Sequence, residues 1–272
     1  LNAFAASGSA FQRARAAAHR YSTRFTSPGA VELRSLRSPR FPGVELWPSA
    51  PRSLTDQDQT TARVELPAPI APGETLVLDV DFVSTLPNLV ERAGFRGELH
   101  MAGQWYPKLS RLDEDGTWRP HTYHPQAEFA ADFGDYSLRL TTPAGWAFGA
   151  TGDCTSEPAE PQALAVRCEA RGVLDFALTL WPEWQRSVQR AGHVTLRVLH
   201  PPGESLKAQR VARYVRWALP RLEAFLGPYP HRSLTAVLMP DWAPEASSME
   251  YPQLFTLPLL RDDRSLWVDE LA

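Results

Sequence analysis

One-on, one-off alternation of apolar and polar residues in short runs is what most constrains this chain. Residues 31–34, 63–66, 75–83, 136–140, 146–148 and 173–180 all read that way. A period of two sends alternate side chains to opposite faces of a strand, so each run buries one face only. Proline and glycine punctuate the runs closely. Pro72-Gly73 marks a tight turn ahead of one of them, and 25 Pro stand against 16 Gly in the whole chain. Proline inside a helix removes a backbone donor and clashes with the preceding turn. Short strands and turns are therefore favoured over long helices, and the expected fold up to about Trp184 is an antiparallel β-sandwich.

The pattern changes after Arg190. Residues 193–200 alternate as a strand, and residues 204–226 then carry Leu206, Val211, Val215, Leu219, Leu222 and Phe225 at three-to-four spacing. That spacing predicts an amphipathic helix. Ser205, or the preceding Pro202-Gly203-Glu204, is the expected cap, and Gly227-Pro228 the stop. Pro220 is expected to kink or split it. A strand over 234–239, an irregular loop through Pro240 and Pro244, and a last short strand complete the series. The chain thus divides into a β-sandwich over residues 1–190 and a smaller α+β part over 191–272, with the boundary near 184–192. It is mainly β.

Composition narrows the function classes. A hydrophobic content of 43% with nine Trp and twelve Phe specifies a packed protein. No apolar run approaches the roughly 18 residues that a membrane helix needs. A net charge of −3 argues against nucleic acid as a partner. Within residues 1–40, seven arginines (13, 15, 20, 24, 34, 37 and 40) face one acid, Glu32. No aromatic platform is interleaved with them, so they read as a solvated face. Cys154 and Cys168 flank a proline-rich loop. If residues 148–151 and 164–167 pair as a hairpin, the two Cβ atoms come within disulfide reach; two reduced thiols are the other reading. A bridge would imply an exported protein.

Three motifs carry more specific information. Ser247-Ser248-Met249-Glu250-Tyr251-Pro252 sets one carboxylate between apolar neighbours just after a strand. Gly103-Gln104-Trp105-Tyr106-Pro107-Lys108-Leu109 is followed by Asp113-Glu114-Asp115-Gly116. Glu128-Phe129-Ala130-Ala131-Asp132-Phe133-Gly134-Asp135-Tyr136 runs on to Gly149-Ala150-Thr151-Gly152. In this order they resemble the aminopeptidase N family of zinc metallopeptidases, the gluzincin aminopeptidases. That family shows Gly-x-Met-Glu-Asn, or Gly-Gly-Met-Glu-Tyr-Pro in bacterial members, with Gln-Trp-Phe-Pro-Lys and Glu-Phe-x-x-Asp-Phe-Gly-x-Tyr. Leu1-Asn2-Ala3-Phe4, the arginine-rich loop after it and Pro72-Gly73-Glu74 are similar more loosely.

The resemblance implies an N-terminal sandwich domain followed by the start of a thermolysin-like catalytic domain. It implies that Glu250 grips the free α-ammonium of a peptide, with Met249, Ser248 and Ser247 in the same substrate-binding strand. Gln104 would help by accepting a hydrogen bond from that ammonium; otherwise it is a turn residue bonded to backbone. Trp105 and Tyr106 are read as packing residues. Ser247 and Ser248 replace the family's small pair, which either narrows the cleft or adds a hydrogen bond. The expected partners are peptides with a free N-terminus and the remainder of the catalytic domain.

The expected cofactor is zinc, yet His-Glu-x-x-His occurs nowhere. The seven histidines stand at 19, 100, 121, 124, 193, 200 and 231. His121-x-x-His124 with Glu128 is bracketed by Pro120 and Pro125, which forbid the helix that would bring both imidazoles to one face. It reads as a surface loop. No residue of the chain is therefore expected to be catalytic or to ligate metal. The expectation is a fragment, with its ligands beyond Ala272, after the helical start at Trp267-Val268-Asp269-Glu270-Leu271. A zinc-less relative acting as a peptide-binding or scaffold module is the alternative. A secreted adhesion sandwich is a third class, against which residues 193–260 argue. The location is left open by the sequence, with a bacterial periplasmic or secreted one favoured over a cytoplasmic one.

Overall fold

The computed structural model of the protein describes residues 9, 10, 13, 27–47, 60–88, 92–120 and 131–259. The loose likeness at Leu1-Asn2-Ala3-Phe4, arginines 15, 20 and 24, the His121–His124–Glu128 group and the helical start at 267–271 lie outside those residues. The strands are β1 (Ala30–Arg37), β2 (Asp79–Thr85), β3 (Ala93–Arg96), β4 (Leu99–Ala102), β5 (Arg111–Leu112), β6 (Trp118–Arg119), β7 (Gly134–Pro143) and β8 (Ala147–Ala150). There follow β9 (Asp153–Glu157), β10 (Ala163–Val173), β11 (Leu178–Trp181), β12 (Gln185–Ala191) and β13 (Val194–His200). Helix α1 (Ser205–Leu226) precedes β14 (Ser233–Met239), β15 (Met249–Tyr251) and β16 (Leu254–Pro258). The fold is mainly β, with antiparallel sheets and a smaller α+β part.

Two compact units share the chain: Leu1–Asn88 with Trp105–Asp132, and Leu89–Gln104 with Phe133–Ala272. In the first, β1 and β2 pair antiparallel with a bulge between Leu33 and Ser35. Glu45 pins the chain beyond β1. Its carboxylate accepts from the Leu36 N–H at 2.7 Å, from Ser35 Oγ and from Arg37, which together hold its pKa down at about 2. Trp105 packs against Phe82 and edge-on to Tyr106, and its carbonyl accepts from the Ser84 hydroxyl.

The second unit is layered. The antiparallel sheet β3-β4-β11-β8 and the mixed sheet β12-β13-β14-β16-β15 enclose one core of Leu99, Met101, Ala177, Trp181, Trp184, Leu199, Val237, Met239 and Leu254. Alternation explains the other face of the mixed sheet. Leu196, Val198, Ala236, Leu238 and Leu257 point away from that core and bury the stripe Ala208, Val211, Ala212 and Val215 of α1. β13 and β14 run parallel, so the connection between them must cross over, and α1 is that crossover. The third sheet, β7-β10-β9, carries the disulfide: Cys154 and Cys168 are directly opposed across β9 and β10 and bonded to each other. Gly152 leads into β9 at φ +91°, where a Cβ would lie 2.4 Å from the Glu169 carbonyl oxygen. Only glycine satisfies both demands.

Several expectations need correction. Pro220 does not split the helix, which runs unbroken over 22 residues. Pro220 lies on the exposed side, so the carbonyl it leaves without a donor can turn to water. Of the two caps expected, Glu204 is the N-cap, without a side-chain cap bond, and Ser205 is the first helical residue. Leu206, Leu222 and Phe225 are exposed, Phe225 by 86%, while Ala208 and Ala212 fill the core instead. Residues 63–66 and 75–78 form no ladder, because alternation makes a strand only where another backbone accepts its hydrogen bonds. Residues 165–169 pair with β9 on one side and β7 on the other, not with residues 148–151, since β8 is taken by β11. Among the described residues, no helix is long and apolar enough to cross a membrane.

Candidate functional site

Glu250 is the middle residue of β15, a three-residue strand at the end of the mixed sheet. Met249 and Tyr251 are half-buried and Glu250 is exposed, as alternation requires once one face of the strand packs inward. β15 pairs only with β16, so its outer edge has no partner strand among the described residues. No ion pair of the Glu250 carboxylate forms among them either.

The strand is held in place by Thr256. Its carbonyl oxygen accepts from the Ser248 N–H at 2.9 Å, and its hydroxyl accepts from the Met249 N–H at 3.1 Å. The same hydroxyl donates to the Ala246 carbonyl at 2.7 Å, so one buried threonine fixes three consecutive parts of the approach. Ser248 turns the chain into β15 at φ +58°, in the left-handed region. It is exposed, and the half-buried Ser247 donates its hydroxyl to the Pro244 carbonyl. Upstream, Arg96 ties down the Pro244–Ala246 turn by an ion pair to Glu245 at 3.2 Å and a bond to the Trp242 carbonyl.

The Gly103-Gln104 turn lies against the same strand. A Cβ on Gly103 would sit 2.5 Å from the Arg92 carbonyl oxygen and 2.6 Å from the Tyr251 hydroxyl. That hydroxyl donates to the Arg92 carbonyl at 3.3 Å. Two motifs separated by about half the chain in sequence therefore meet through Gly103 and Tyr251, the residue next to Glu250. Gln104, at φ +53°, donates its side-chain amide to the buried Asp175 carboxylate. A carboxylate accepts only, so this bond fixes which way the amide faces. Neither Thr256 nor Asp175 stands out in the sequence. Their partners are set by long-range register, for which no local spacing gives a signal.

Among the described residues, no group of three or more His, Cys, Asp and Glu forms a metal site. A zinc ligand set is therefore not made by these residues. What they offer is an exposed carboxylate beside an open strand edge, which suits a cationic group on an extended chain.

The layered arrangement has counterparts among solved structures. The M1 zinc metallopeptidase from Deinococcus radiodurans is similar with a TM-score of 0.54 and 21% identity, over 89% of this chain and 53% of that one. Its E323A mutant gives 0.52 and 21%, over 84% and 50%. The chain spans about half the length of these structures. No protein-family model and no curated protein matches the sequence. The similarity establishes the fold: this chain is built like about half of the M1 zinc metallopeptidase it matches.

Proposed function

We propose that the chain is the part of a zinc-dependent aminopeptidase that holds the substrate's free N-terminus. The observation that carries this is Glu250, an exposed carboxylate on an open edge strand with no cation paired to it among the described residues. The fold shared with M1 metallopeptidases and the three motifs support it. A peptide laid along β15 would bond its backbone to the strand edge, as in strand addition, and place its α-ammonium at Glu250. Fixing that end sets which peptide bond is presented for cleavage, an orientation effect. When bound, zinc supplies polarisation of the scissile carbonyl and a bound water of lowered pKa. The described residues contribute binding alone, and the ligands belong to the remainder of the catalytic domain, expected to be thermolysin-like.

The division into a sandwich over 1–190 and a catalytic part over 191–272 belongs to the same proposal. So does an exported location, which a persistent disulfide requires in most organisms.

Glu250→Gln keeps the shape and removes the charge. In the intact enzyme, kcat/KM for peptides with a free N-terminus should fall roughly 30- to 1000-fold, the size of a lost charge-assisted hydrogen bond. Substrates with a blocked N-terminus should lose far less. An equal effect on both, or none on either, would assign Glu250 to the structure of the edge strand.

A further inference from the structure

A cavity of about 370 Å³ lies in the second unit, between β8 and the disulfide hairpin on one side and strands β12 and β13 on the other. Its size falls within the roughly 300–1,000 Å³ typical of small-molecule sites. Trp146, Phe148, Trp184 and Cys154 supply apolar wall, and Arg186 and Arg197 supply charge. The register shows why the two arginines converge. Arg186 is opposite Leu199 and Val188 is opposite Arg197, so both arginines stand on one face as diagonal neighbours. Such neighbours are about 7–8 Å apart, within reach of long side chains.

Neither guanidinium makes an ion pair or a side-chain hydrogen bond among the described residues. Arg197 is half-buried, and burial holds its pKa below the usual arginine range. Asp153 opposes that shift and Arg186 adds to it. Trp184 is 5% exposed, and its Nε1–H has no acceptor among the described residues. Two guanidinium groups thus converge on one cavity, and no carboxylate among the described residues is paired with either of them. Arg186 is exposed and Arg197 half-buried, and a half-buried guanidinium without a paired anion is costly, which marks a place for one.

We infer that this cavity binds a small organic carboxylate, its charge held by Arg186 and Arg197 and its apolar body against Trp146, Phe148 and Trp184. The planar guanidinium matches a carboxylate with two parallel hydrogen bonds. A bare inorganic anion would satisfy the charge and leave the aromatic wall unused. The site is separate from Glu250 and does not depend on the peptidase reading.

The folded chain is titrated with 3-phenylpropionate, with the neutral 3-phenylpropanol and with inorganic phosphate, followed by calorimetry and tryptophan fluorescence. 3-Phenylpropionate binds saturably with Kd of about 1 mM or tighter. The other two bind at least about tenfold more weakly, as loss of a charged contact or of the apolar contact demands. Arg197→Met weakens 3-phenylpropionate about tenfold or more, and Arg197→Lys, which keeps charge without the fork, recovers only part. Phe225→Ser, on the exposed end of α1, changes nothing. Absence of saturable binding overturns the inference. So does equal binding of the alcohol or of phosphate. If Arg197→Met fails to fold, the three-ligand comparison on the unaltered chain decides by itself.

Discussion

Ser248 adopts φ +58°, a backbone angle that costs an ordinary L-residue about 1–2 kcal/mol and glycine almost nothing. The bacterial form of the family that the sequence resembles has glycine at this position, which fits the angle: the chain must swing left-handed to enter β15. Ser248 is exposed, so its side chain brings little burial in return. Ser248→Gly should therefore stabilise the protein by up to about 1 kcal/mol, once the extra freedom of glycine in the unfolded chain is subtracted. A urea titration should show a higher midpoint at unchanged slope. A lower midpoint would mean that the serine hydroxyl makes a bond worth more than the strain. The exposure of Glu250 was legible from its neighbours, since alternation fixes its face once Met249 and Tyr251 turn inward. The bond from Gln104 to Asp175 was not, because 71 residues separate the partners and only the folded sheet joins them.

At the level of elements, period two located β1, β7 and β13 well and period 3.6 located α1, while the run 173–180 spans the end of β10, a loop and most of β11. Val211, Val215 and Leu219 face inward as the spacing has it; what spacing missed was that alanines share that face and that Leu206, Leu222 and Phe225 do not. Leucine and phenylalanine outweigh alanine in any apolar count, yet Ala208 and Ala212 are the residues that let the helix approach the sheet. Leu222 and Phe225 follow Pro220, beyond the residues that the sheet covers. The β9–β10 hairpin teaches a related lesson: the cysteines were the right distance apart in sequence, but the strand opposing Cys168 begins only at Asp153. Their bridge closes a loop with a sequence separation of 14. Restricting the unfolded chain over such a loop should contribute about 3 kcal/mol. Denaturant unfolding with and without reductant should differ by that amount, and the double substitution Cys154→Ala, Cys168→Ala should match the reduced protein. Equal midpoints would show that the hairpin is secured by its ladder and the Glu157 ion pairs to Arg139 and Arg167 alone.

For the molecule as a whole, a change of sheet type near residue 185 does not coincide with a break in packing. The antiparallel sheet β3-β4-β11-β8 belongs by sequence to the proposed sandwich part, and β13, β14 and β16 belong to the α+β part. Yet Leu99, Met101 and Trp181 of the former share one buried cluster with Leu199, Val237, Met239 and Leu254 of the latter. Ser233 adds a hydrogen bond from the start of β14 to the Gly152 carbonyl at 3.2 Å. Two sheets that bury the same core lose it together, so they should unfold as one cooperative unit. Met101 is fully buried in that cluster, and Met101→Ala should cost about 2–5 kcal/mol through lost contacts and a cavity. The decisive reading is where the loss is felt. Native-state hydrogen exchange should show protection falling by the same free energy in β4 and β11 as in β13 and β14. If protection dropped in the antiparallel sheet while β13 and β14 kept theirs, the two sheets would be separate units. The sequence boundary near 184–192 would then divide stability as well as topology.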